Sequence, residues 1–367
     1  MKVVTLVGTR PEIIKLAQTI KELDKFFEHI LVHTGQNFDY ELNEIFFKDL
    51  ELRKPDYFLD AAEDTPAKTI ANVISKFDDV LEKEKPNAIL IYGDTNSSLG
   101  VIAAKKRKIP IFHMEAGNRC FDLNVPEEIN RKIVDHLADI NMVLCEQSRK
   151  YLEAEGIRPE TIIKTGSSMK ELFNTYADKI ENSDILERLK LKEKEYFVAS
   201  SHRQEVVDSK ENLKSLINSL NALVEKYNYP VIFSLHPRTR KKLNDIENLD
   251  INPLIIFIKP LGFFDYVNLQ KNAFCTLSDS GTITEESSIL GFPAVTIRNI
   301  HERPEGNDEG VLIMCGYTKD RVLSAVDMVV RQNANIKTIK DYEADNVSSK
   351  VVRIILGYTD YINKVVY

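Results

Sequence analysis

Acidic side chains stand at the ends of two successive apolar runs in the first half of the sequence. Asp94 follows the run Ala88–Tyr92, and Glu115 follows the run Ile109–Met114. Because parallel strands deliver the side chains at their carboxyl ends to one ligand-binding edge, we expect both acids in the same site. Carboxyl groups there can transfer protons to and from a ligand. Each acid alone could instead cap a helix or lie in a solvated loop, but the pair favours a site.

A third acidic segment opens a predicted helix. Glu127 and Glu128 lie in the first turn of the helix that begins with the segment Pro126–Arg131. Negative side chains at this end of a helix also stabilise it through the helix dipole, so a purely structural explanation is equally available.

The segment after the first predicted strand is positively charged. Gly8-Thr9-Arg10-Pro11-Glu12 follows the run Val3–Val7, and Pro11 suits the first turn of a helix, where a missing amide hydrogen costs nothing. Arg10 then lies at a helix N-terminus with Lys15 one turn further on, which is the outline of a diphosphate site. A capped turn with solvated charges is the alternative. The chain has neither a GxGxxG nor a Walker lysine motif, which argues against NAD and ATP.

The second half of the chain shows a similar arrangement. His202 and Arg203 follow the first apolar run of that half, Tyr196–Ser200. A single histidine is usually structural, but the neighbouring arginine and the position at a strand end favour a functional role. The turn Glu302–Gly306, which contains Arg303, is expected to close the same site.

Small residues follow another apolar run in the second half. The segment Ser280-Gly281-Thr282 comes after Phe274–Leu277 and begins a helix, whose backbone N–H groups could hold a phosphate. Glu285 and Glu286, one turn further on, could accept hydrogen bonds from ribose hydroxyl groups. An ordinary N-capped helix would show the same pattern.

Short apolar runs alternate with amphipathic helical stretches, which predicts parallel sheets covered by helices on both faces. The pattern restarts near Tyr196 after a charged segment, so we expect two doubly wound domains with a ligand cleft between them. Residues 1–170 are assigned to the first domain, with a crossover helix at about 350–367, and residues 171–349 to the second. The predicted strands are Val3–Val7, Ile30–His33, Ala88–Tyr92, Ile109–Met114, Asn141–Cys145, Ile162–Thr165, Tyr196–Ser200, Pro230–Leu235, Ile255–Ile258, Phe274–Leu277 and Pro293–Ile297.

The composition limits the partners and the compartment. A chain of 367 residues is too long to fold around one ordinary hydrophobic core. Its formal net charge of −7 argues against nucleic acid as a partner. No segment approaches the ~20 apolar residues of a membrane span, and the first residues lack signal-peptide features. Four scattered cysteines without a CxxC pair suit a reducing cytoplasm rather than a disulfide or zinc framework.

Together, these segments resemble the non-hydrolysing UDP-N-acetylglucosamine 2-epimerases, which share the two-domain GT-B fold. The resemblance implies a GT-B-like α/β fold with two Rossmann-like domains and a UDP-sugar as the ligand. The matching motifs run in order along nearly the whole chain: GTRPE with Lys15, TGQ at Thr34–Gln36, GDT at Gly93–Thr95, EAG at Glu115–Gly117, PEExNR at Pro126–Arg131, HR at His202–Arg203, DSG at Asp279–Gly281 with Glu285 and Glu286, and ERPE at Glu302–Glu305.

The resemblance also implies roles for individual residues. Two departures from the common family sequence stand out: Asn118 and Cys120 replace the leucine and threonine of GLRT, and Thr282 replaces the second glycine of SGG. The residues that correspond to catalytic positions are Asp94, Glu115, Glu127 and His202. Those that correspond to substrate- and UDP-binding positions are Arg10, Lys15, Arg203, Ser280, Gly281, Thr282, Glu286 and Arg303.

The chemistry that the resemblance implies is elimination of UDP followed by its re-addition. The C2–H bond of an N-acetylhexosamine is a very weak acid because no carbonyl adjoins C2, and loss of UDP from C1 acidifies it. This route needs cations at the diphosphate, an acid or base on each face of C2, and exclusion of water from the 2-acetamidoglycal. Glu115 and Glu127 are the candidates for the two faces, with Asp94 orienting one of them or sharing the role. No metal or nicotinamide is required, so no cofactor is expected.

The expected substrate is a 6-deoxy sugar. Gly117–Glu128, Gly35–Tyr40 and Gly262–Tyr266 resemble the branch that converts UDP-2-acetamido-2,6-dideoxy-L-talose to UDP-N-acetyl-L-fucosamine for capsule or O-antigen. UDP-N-acetylglucosamine is the alternative substrate. A GT-B glycosyltransferase, a hydrolysing epimerase and a nucleotide-sugar sensor are the alternative functions, and three carboxyl groups favour the epimerase. The family also implies a cytoplasmic homodimer.

Overall fold

The structure, a computed structural model, describes residues 1–36, 46–201, 203, 209–235, 237–244, 246, 249–300, 302–332 and 338–367. Two compact units make up the chain, and the first of them is discontinuous in sequence. Unit 1 contains Met1–Thr175 and Asp341–Tyr367, whereas unit 2 contains Tyr176–Lys340.

The described part of unit 1 is built on a seven-stranded sheet. Its strands are β1 (Lys2–Val7), β2 (Glu28–His33), β3 (Tyr57–Phe58), β4 (Ala88–Tyr92), β5 (Ile111–Ala116), β6 (Ile140–Val143) and β7 (Ile162–Lys164). Along the sheet the order is β3-β2-β1-β4-β5-β6-β7, and these pairs are parallel. Every residue of β4 is buried, as expected for a central strand covered on both faces.

Helices connect the strands of unit 1, and three of them have a proline in the first turn. Pro11, Pro66 and Pro126 occupy that position, where the absent amide hydrogen would have had no helical partner. The helices of this first segment whose bounds lie in the described residues include α1 (Arg10–Phe26), α2 (Pro66–Glu84), α3 (Val101–Lys106), α4 (Pro126–Leu137), α5 (Glu146–Ala154) and α6 (Met169–Thr175). A short 3-10 helix, Asn96–Gly100, follows the GDT motif.

Unit 2 repeats the architecture with a six-stranded parallel sheet among its described residues. Its strands are β8 (Phe197–Ser200), β9 (Val231–Ser234), β10 (Ile255–Ile258), β11 (Cys275–Ser278), β12 (Ala294–Thr296) and β13 (Ile313–Met314), in the order β10-β9-β8-β11-β12-β13. Its helices are α7 (Ala177–Glu181), α8 (Ile185–Arg188), α9 (Lys210–Tyr227), α10 (Pro237–Asn244), α11 (Phe263–Lys271), α12 (Ile283–Leu290), α13 (Glu305–Asp308) and α14 (Lys319–Gln332).

The chain returns to unit 1 after α14. The last described helix, α15 (Val347–Val365), packs on α1. Within the described ranges, no helix combines the length and the apolar character that crossing a bilayer requires.

Each sheet reverses its strand order at one point, and that point positions the site. In unit 1 the reversal lies between β1 and β4, and in unit 2 it lies between β8 and β11. Connections on either side of such a point run to opposite faces of the sheet and leave a crevice at the carboxyl ends of the strands. Arg10 and Asp94 follow the two strands in unit 1, and Arg203 and Asp279 follow them in unit 2.

Candidate active site

Glu115 lies at a bulge in β5. Its φ angle is +62°, in the left-handed region that residues with side chains rarely adopt. The register slips at the same point, because Met114 pairs with Met142 of β6 while Ala116 pairs with Val143. A bulge of this kind re-aims a side chain. A left-handed residue of this type costs about 1–3 kcal/mol, and such strain concentrates at functional sites.

Two side chains hold the carboxylate of Glu115. Lys15 Nζ on α1 lies 2.5 Å from Glu115 Oε2, and the Tyr92 hydroxyl at the end of β4 donates to the same oxygen at 2.7 Å. The Lys15 side chain is 4% exposed and that of Glu115 is 12% exposed. The ion pair is therefore largely screened from water, which strengthens it. A residue predicted to bind diphosphate thus contacts a predicted catalytic acid.

Helix α4 holds Asp94. Arg131 Nε donates to Asp94 Oδ2 at 2.7 Å, and the Asn130 side-chain amide donates to the Asp94 carbonyl oxygen at 2.9 Å. The Asp94 side chain keeps 22% exposure, so it is open to a ligand while its orientation is fixed. The PEExNR and GDT motifs are therefore parts of one arrangement.

The consecutive acids of α4 differ in their surroundings. Glu128 is buried and accepts hydrogen bonds from the backbone N–H groups of Cys120 and Phe121 at 3.1 and 3.0 Å. Arg131 Nη1 also donates to it at 2.9 Å. Burial raises the pKa of Glu128, but these hydrogen bonds outweigh burial and the pKa is lowered. Glu127 is half-buried and makes no side-chain hydrogen bond to any residue the structure describes, which leaves it available to a ligand.

The GTRPE motif builds the turn at the start of α1. Glu12 Oε2 accepts hydrogen bonds from the Gly8 and Thr9 backbone N–H groups at 2.5 and 3.3 Å, and Oε1 accepts one from the Thr95 hydroxyl at 2.5 Å. Burial raises the pKa of Glu12 to about 7, although the hydrogen bonds oppose that shift. The bonds tie the turn after β1 to the turn after β4 and place Arg10, half-buried, at the helix N-terminus.

A buried ionic cluster supports the bulge. The Asp135 carboxylate accepts the Gly117 N–H at 3.2 Å and Arg119 Nη1 at 2.7 Å, and lies 2.9 Å from His113 Nδ1. Burial lowers the pKa of His113, but the ion pair with Asp135 outweighs burial and the pKa is raised. Gly117 has a φ of +79°, and a Cβ there would lie 2.6 Å from the Ser148 carbonyl oxygen, so this position requires glycine.

In unit 2, Asp279 fixes the segment after β8. Its Oδ2 accepts hydrogen bonds from the Ser201 hydroxyl and the Arg203 backbone N–H, both at 2.9 Å. Arg203 Nη2 donates to Glu302 Oε1 at 2.9 Å, and Arg298 Nη1 donates to Glu302 Oε2 at 2.7 Å. The structure thus brings the DSG and ERPE motifs together with Arg203. His202, a predicted catalytic residue, lies outside the described residues, as does the segment 37–40.

The turn of small residues lies between β11 and α12. The Ser280 and Thr282 hydroxyl oxygens are 2.6 Å apart, and a Cβ on Gly281 would lie 2.8 Å from Glu302 Oε1. The turn borders a small pocket that is partly open to solvent. Its lining residues are Ser280, Gly281, Thr284, Thr296, Arg298, Arg303, Gly306, Asn307 and Leu312.

The two acids of α12 have different partners. Arg303 Nη2 donates to Glu285 Oε2 at 3.1 Å, whereas Gln270 Nε2 on α11 donates to Glu286 Oε2 at 2.8 Å. Glu285 therefore anchors the ERPE turn, and Glu286 is oriented by the neighbouring helix.

Three residues with defined contacts in unit 1 had no role assigned from the sequence. Tyr92 contacts Glu115, Arg131 contacts Asp94, and Asp135 supports the bulge. Arg131 lies within the PEExNR motif and Tyr92 directly precedes the GDT motif, so their positions in the sequence could have indicated a role for both. Nothing in the spacing of Asp135 distinguished it from an ordinary helical acid.

The chain is similar to known proteins along nearly its whole length. A family model described as UDP-N-acetylglucosamine 2-epimerase matches residues 20–356. A UDP-N-acetylglucosamine 2-epimerase structure from Rickettsia bellii is 56% identical, with a TM-score of 0.93, over 100% of this chain and 99% of that chain. The Methanocaldococcus jannaschii UDP-GlcNAc 2-epimerase, solved with UDP-GlcNAc and UDP, is 34% identical, with a TM-score of 0.91, over 97% of this chain and 100% of that one.

Two further similarities are to a relative named for a different sugar and to a glycotransferase structure. The UDP-2,3-diacetamido-2,3-dideoxy-D-glucuronate 2-epimerase of Pseudomonas aeruginosa is 33% identical over 97% of this chain and 99% of its own length. The structure of a kitacinnamycin glycotransferase, 10% identical with a TM-score of 0.60 over 97% of this chain and 98% of that chain, shares the fold alone. The predicted GT-B-like α/β fold is confirmed, and the chain belongs to the UDP-N-acetylglucosamine 2-epimerase family and is therefore an isomerase.

Proposed function

We propose that the chain epimerises UDP-N-acetylglucosamine at C2 by eliminating UDP and adding it back. The observation that carries this proposal is the pair of oriented acids in unit 1. Lys15 and Tyr92 hold Glu115, and Arg131 holds Asp94, at the carboxyl ends of the neighbouring strands β5 and β4.

The reaction divides into two balanced steps. In the elimination, a carboxylate takes the proton from C2, the C2–H electron pair forms the C1=C2 double bond, and the C1–O bond breaks with its electron pair leaving on UDP. In the return step, the electron pair of the double bond takes up a proton on the opposite face of C2, and a phosphate oxygen of UDP donates a pair to C1 to form the new C1–O bond. Glu115 and Glu127 serve the two faces in this proposal, and Asp94 orients one of them or shares the role.

The departing diphosphate needs positive charge and N–H donors. Arg10 at the N-terminus of α1 supplies a guanidinium group, and Lys15 can balance both the Glu115 carboxylate and the phosphate. In unit 2, the turn before α12 offers backbone N–H groups near Arg303. The full set that we assign to UDP and the sugar diphosphate is Arg10, Lys15, His202, Arg203, Ser280, Gly281, Thr282, Glu286 and Arg303.

The 6-deoxy-L sugar is the second candidate substrate, favoured by the sequence of Gly117–Glu128. The environments of two apolar side chains of that segment are accounted for without a substrate methyl group. Val125 is buried at the N-terminus of α4, and the Phe121 ring packs edge-on against Tyr151. We rank UDP-N-acetylglucosamine first, and the similarity to the R. bellii and M. jannaschii epimerases supports this order.

Incubation with UDP-N-acetylglucosamine in deuterated water tests the reaction class. We expect deuterium at C2 of intact UDP-sugar and formation of the C2 epimer. Free sugar would identify a hydrolysing epimerase, and the absence of both label and turnover would favour a transferase or a sensor. Assay of the 6-deoxy-L-talose substrate at equal concentration decides the sugar. A higher kcat/KM for that sugar would reverse our order of substrates.

We also propose a cytoplasmic homodimer, as the family resemblance implies. Light scattering on the eluate of a size-exclusion column is expected to give twice the chain mass of 42.0 kDa. A single-chain mass at micromolar concentration would contradict the dimer and leave the reaction unaffected.

A further inference from the structure

Tyr92 is the last residue of β4 and directly precedes the GDT motif. It is only 3% exposed, yet its hydroxyl group reaches Glu115 Oε2 at 2.7 Å. Burial of a phenolic hydroxyl is costly unless the group makes a hydrogen bond. The Glu115 carboxylate satisfies that requirement, so the hydroxyl of Tyr92 has a specific contact with a candidate base.

The bulge in β5 makes this contact possible. Tyr92 pairs with Met114 in the sheet register, so a regular β5 would direct the Glu115 side chain to the opposite face from Tyr92. The left-handed φ at Glu115 re-aims the carboxyl group. The Tyr92 hydroxyl and the Lys15 ammonium then converge on one carboxylate oxygen.

Building on the proposed function, we infer that Tyr92 is a positioning residue that fixes the orientation of the Glu115 carboxylate for proton transfer at C2. Lys15 supplies charge, but an ammonium on a flexible chain has no preferred direction. The phenol is rigid and buried in the sheet, so its single O–H donor restricts rotation of the carboxyl group. Proton transfer needs a heavy-atom distance of about 2.6–3.2 Å, which a rotated carboxylate would not keep.

The variant Tyr92→Phe isolates the hydroxyl group. It keeps the ring, whose centroid lies 5.6 Å from Lys15 Nζ, and removes only the donor to Glu115. We expect kcat to fall about 10- to 100-fold, the scale for misplacing a catalytic group by roughly 1 Å, with KM changed less than about threefold. The matched control is Tyr57→Phe, because Tyr57 lies in β3 of the same sheet and donates to the carboxylate of Glu84. Its kcat should match the wild type.

A double-mutant cycle with Glu115→Gln separates positioning from a general structural effect. If Tyr92 acts through the Glu115 carboxylate, adding Tyr92→Phe to Glu115→Gln lowers kcat less than about twofold further. A full additional loss of 10-fold or more would overturn the inference, as would a wild-type kcat in Tyr92→Phe alone. Thermal unfolding, which should match that of Tyr57→Phe within a few degrees, confirms that each variant is folded.

C2 labelling by the wild-type protein distinguishes this inference from the proposed function. Without deuterium at C2 in the wild type, the proposed function and the role of Tyr92 are both wrong. If the wild type and Tyr92→Phe incorporate deuterium at C2 at the same initial rate, only the role of Tyr92 is wrong.

Discussion

Arg131 joins two acids of different character, because its Nε donates to Asp94 at 2.7 Å while its Nη1 donates to Glu128 at 2.9 Å. The side chain of Glu128 is fully buried, and that of Arg131 is 4% exposed. Removing one partner of a buried ion pair leaves an uncompensated charge, which costs about 3–5 kcal/mol. We therefore expect Arg131→Met to lower the free energy of unfolding by about 3 kcal/mol in urea titrations followed by circular dichroism.

The control for this prediction is the same substitution at a solvated pair. Arg158 lies 3.6 Å from Glu160, and both side chains are more than half exposed. Arg158→Met should change the free energy of unfolding by less than about 1 kcal/mol. Equal losses in the two variants would contradict the view that burial sets the contribution of Arg131.

The candidate acids of unit 1 should affect turnover rather than UDP binding. Glu115→Gln and Glu127→Gln are each expected to reduce turnover at least ~10²-fold, the scale for loss of a general acid or base. The dissociation constant for UDP, measured by calorimetry, should change little in Glu127→Gln, whereas Glu115→Gln releases Lys15 for the phosphate and should not weaken UDP binding. Wild-type turnover in either variant removes that residue from the mechanism.

Gly281 should be intolerant of any side chain. A Cβ at this position would lie 2.8 Å from Oε1 of Glu302, a carboxylate that Arg203 and Arg298 hold in place. Gly281→Ala is therefore expected to displace Glu302 and raise the dissociation constant for UDP about 10-fold, or about 1.4 kcal/mol. Gly357→Ala is the matched control, because no atom lies within 4 Å of the added carbon and the helix α15 tolerates alanine. UDP should bind that control as tightly as it binds the wild type.

Glu12 should make stability fall as the pH rises from about 4.5 to about 7. The folded protein holds the Glu12 proton up to about pH 7, whereas an ordinary glutamate loses its proton near pH 4.5. Between these values the folded state binds more protons than the unfolded state, so the free energy of unfolding decreases with pH by roughly 3 kcal/mol in total. The decrease should disappear in Glu12→Gln. Parallel stability curves for the two proteins across this range would show that burial does not raise the Glu12 pKa.

Most of the fold followed from apolar patterning. All eleven predicted strands correspond to strands in the structure, because a buried parallel strand must be apolar on both faces. Among the strands that the structure describes, two were missed, β3 and β13, each of which is only two residues long. An edge strand of that length contains no run from which a period can be read.

The residues of the candidate site were easier to predict from the sequence than the contacts between them. The ends of the predicted strands identified Asp94 and Glu115. The bulge that re-aims Glu115 was not predictable, because the residue in the left-handed conformation is Glu115 itself and not a glycine or an asparagine. Lys15 was expected at a diphosphate, and its ion pair with Glu115 joins residues far apart in sequence. Similarly, residue type and spacing did not distinguish Glu127 from Glu128, and only the resemblance to the family selected Glu127. In the structure, burial and backbone partners separate the two acids.

Unit 1 reaches its final form only after the ribosome has made all of unit 2. The helix α15 packs on α1, and the Ser348 backbone N–H and Lys350 Nζ donate to Glu171 and Thr165 of the first segment at 2.9 and 3.0 Å. During vectorial synthesis, the surface that α15 covers stays open while residues 176–340 emerge and fold. The unit that carries Asp94 and Glu115 is thus completed last, after the turn at Ser280–Thr282 has been made.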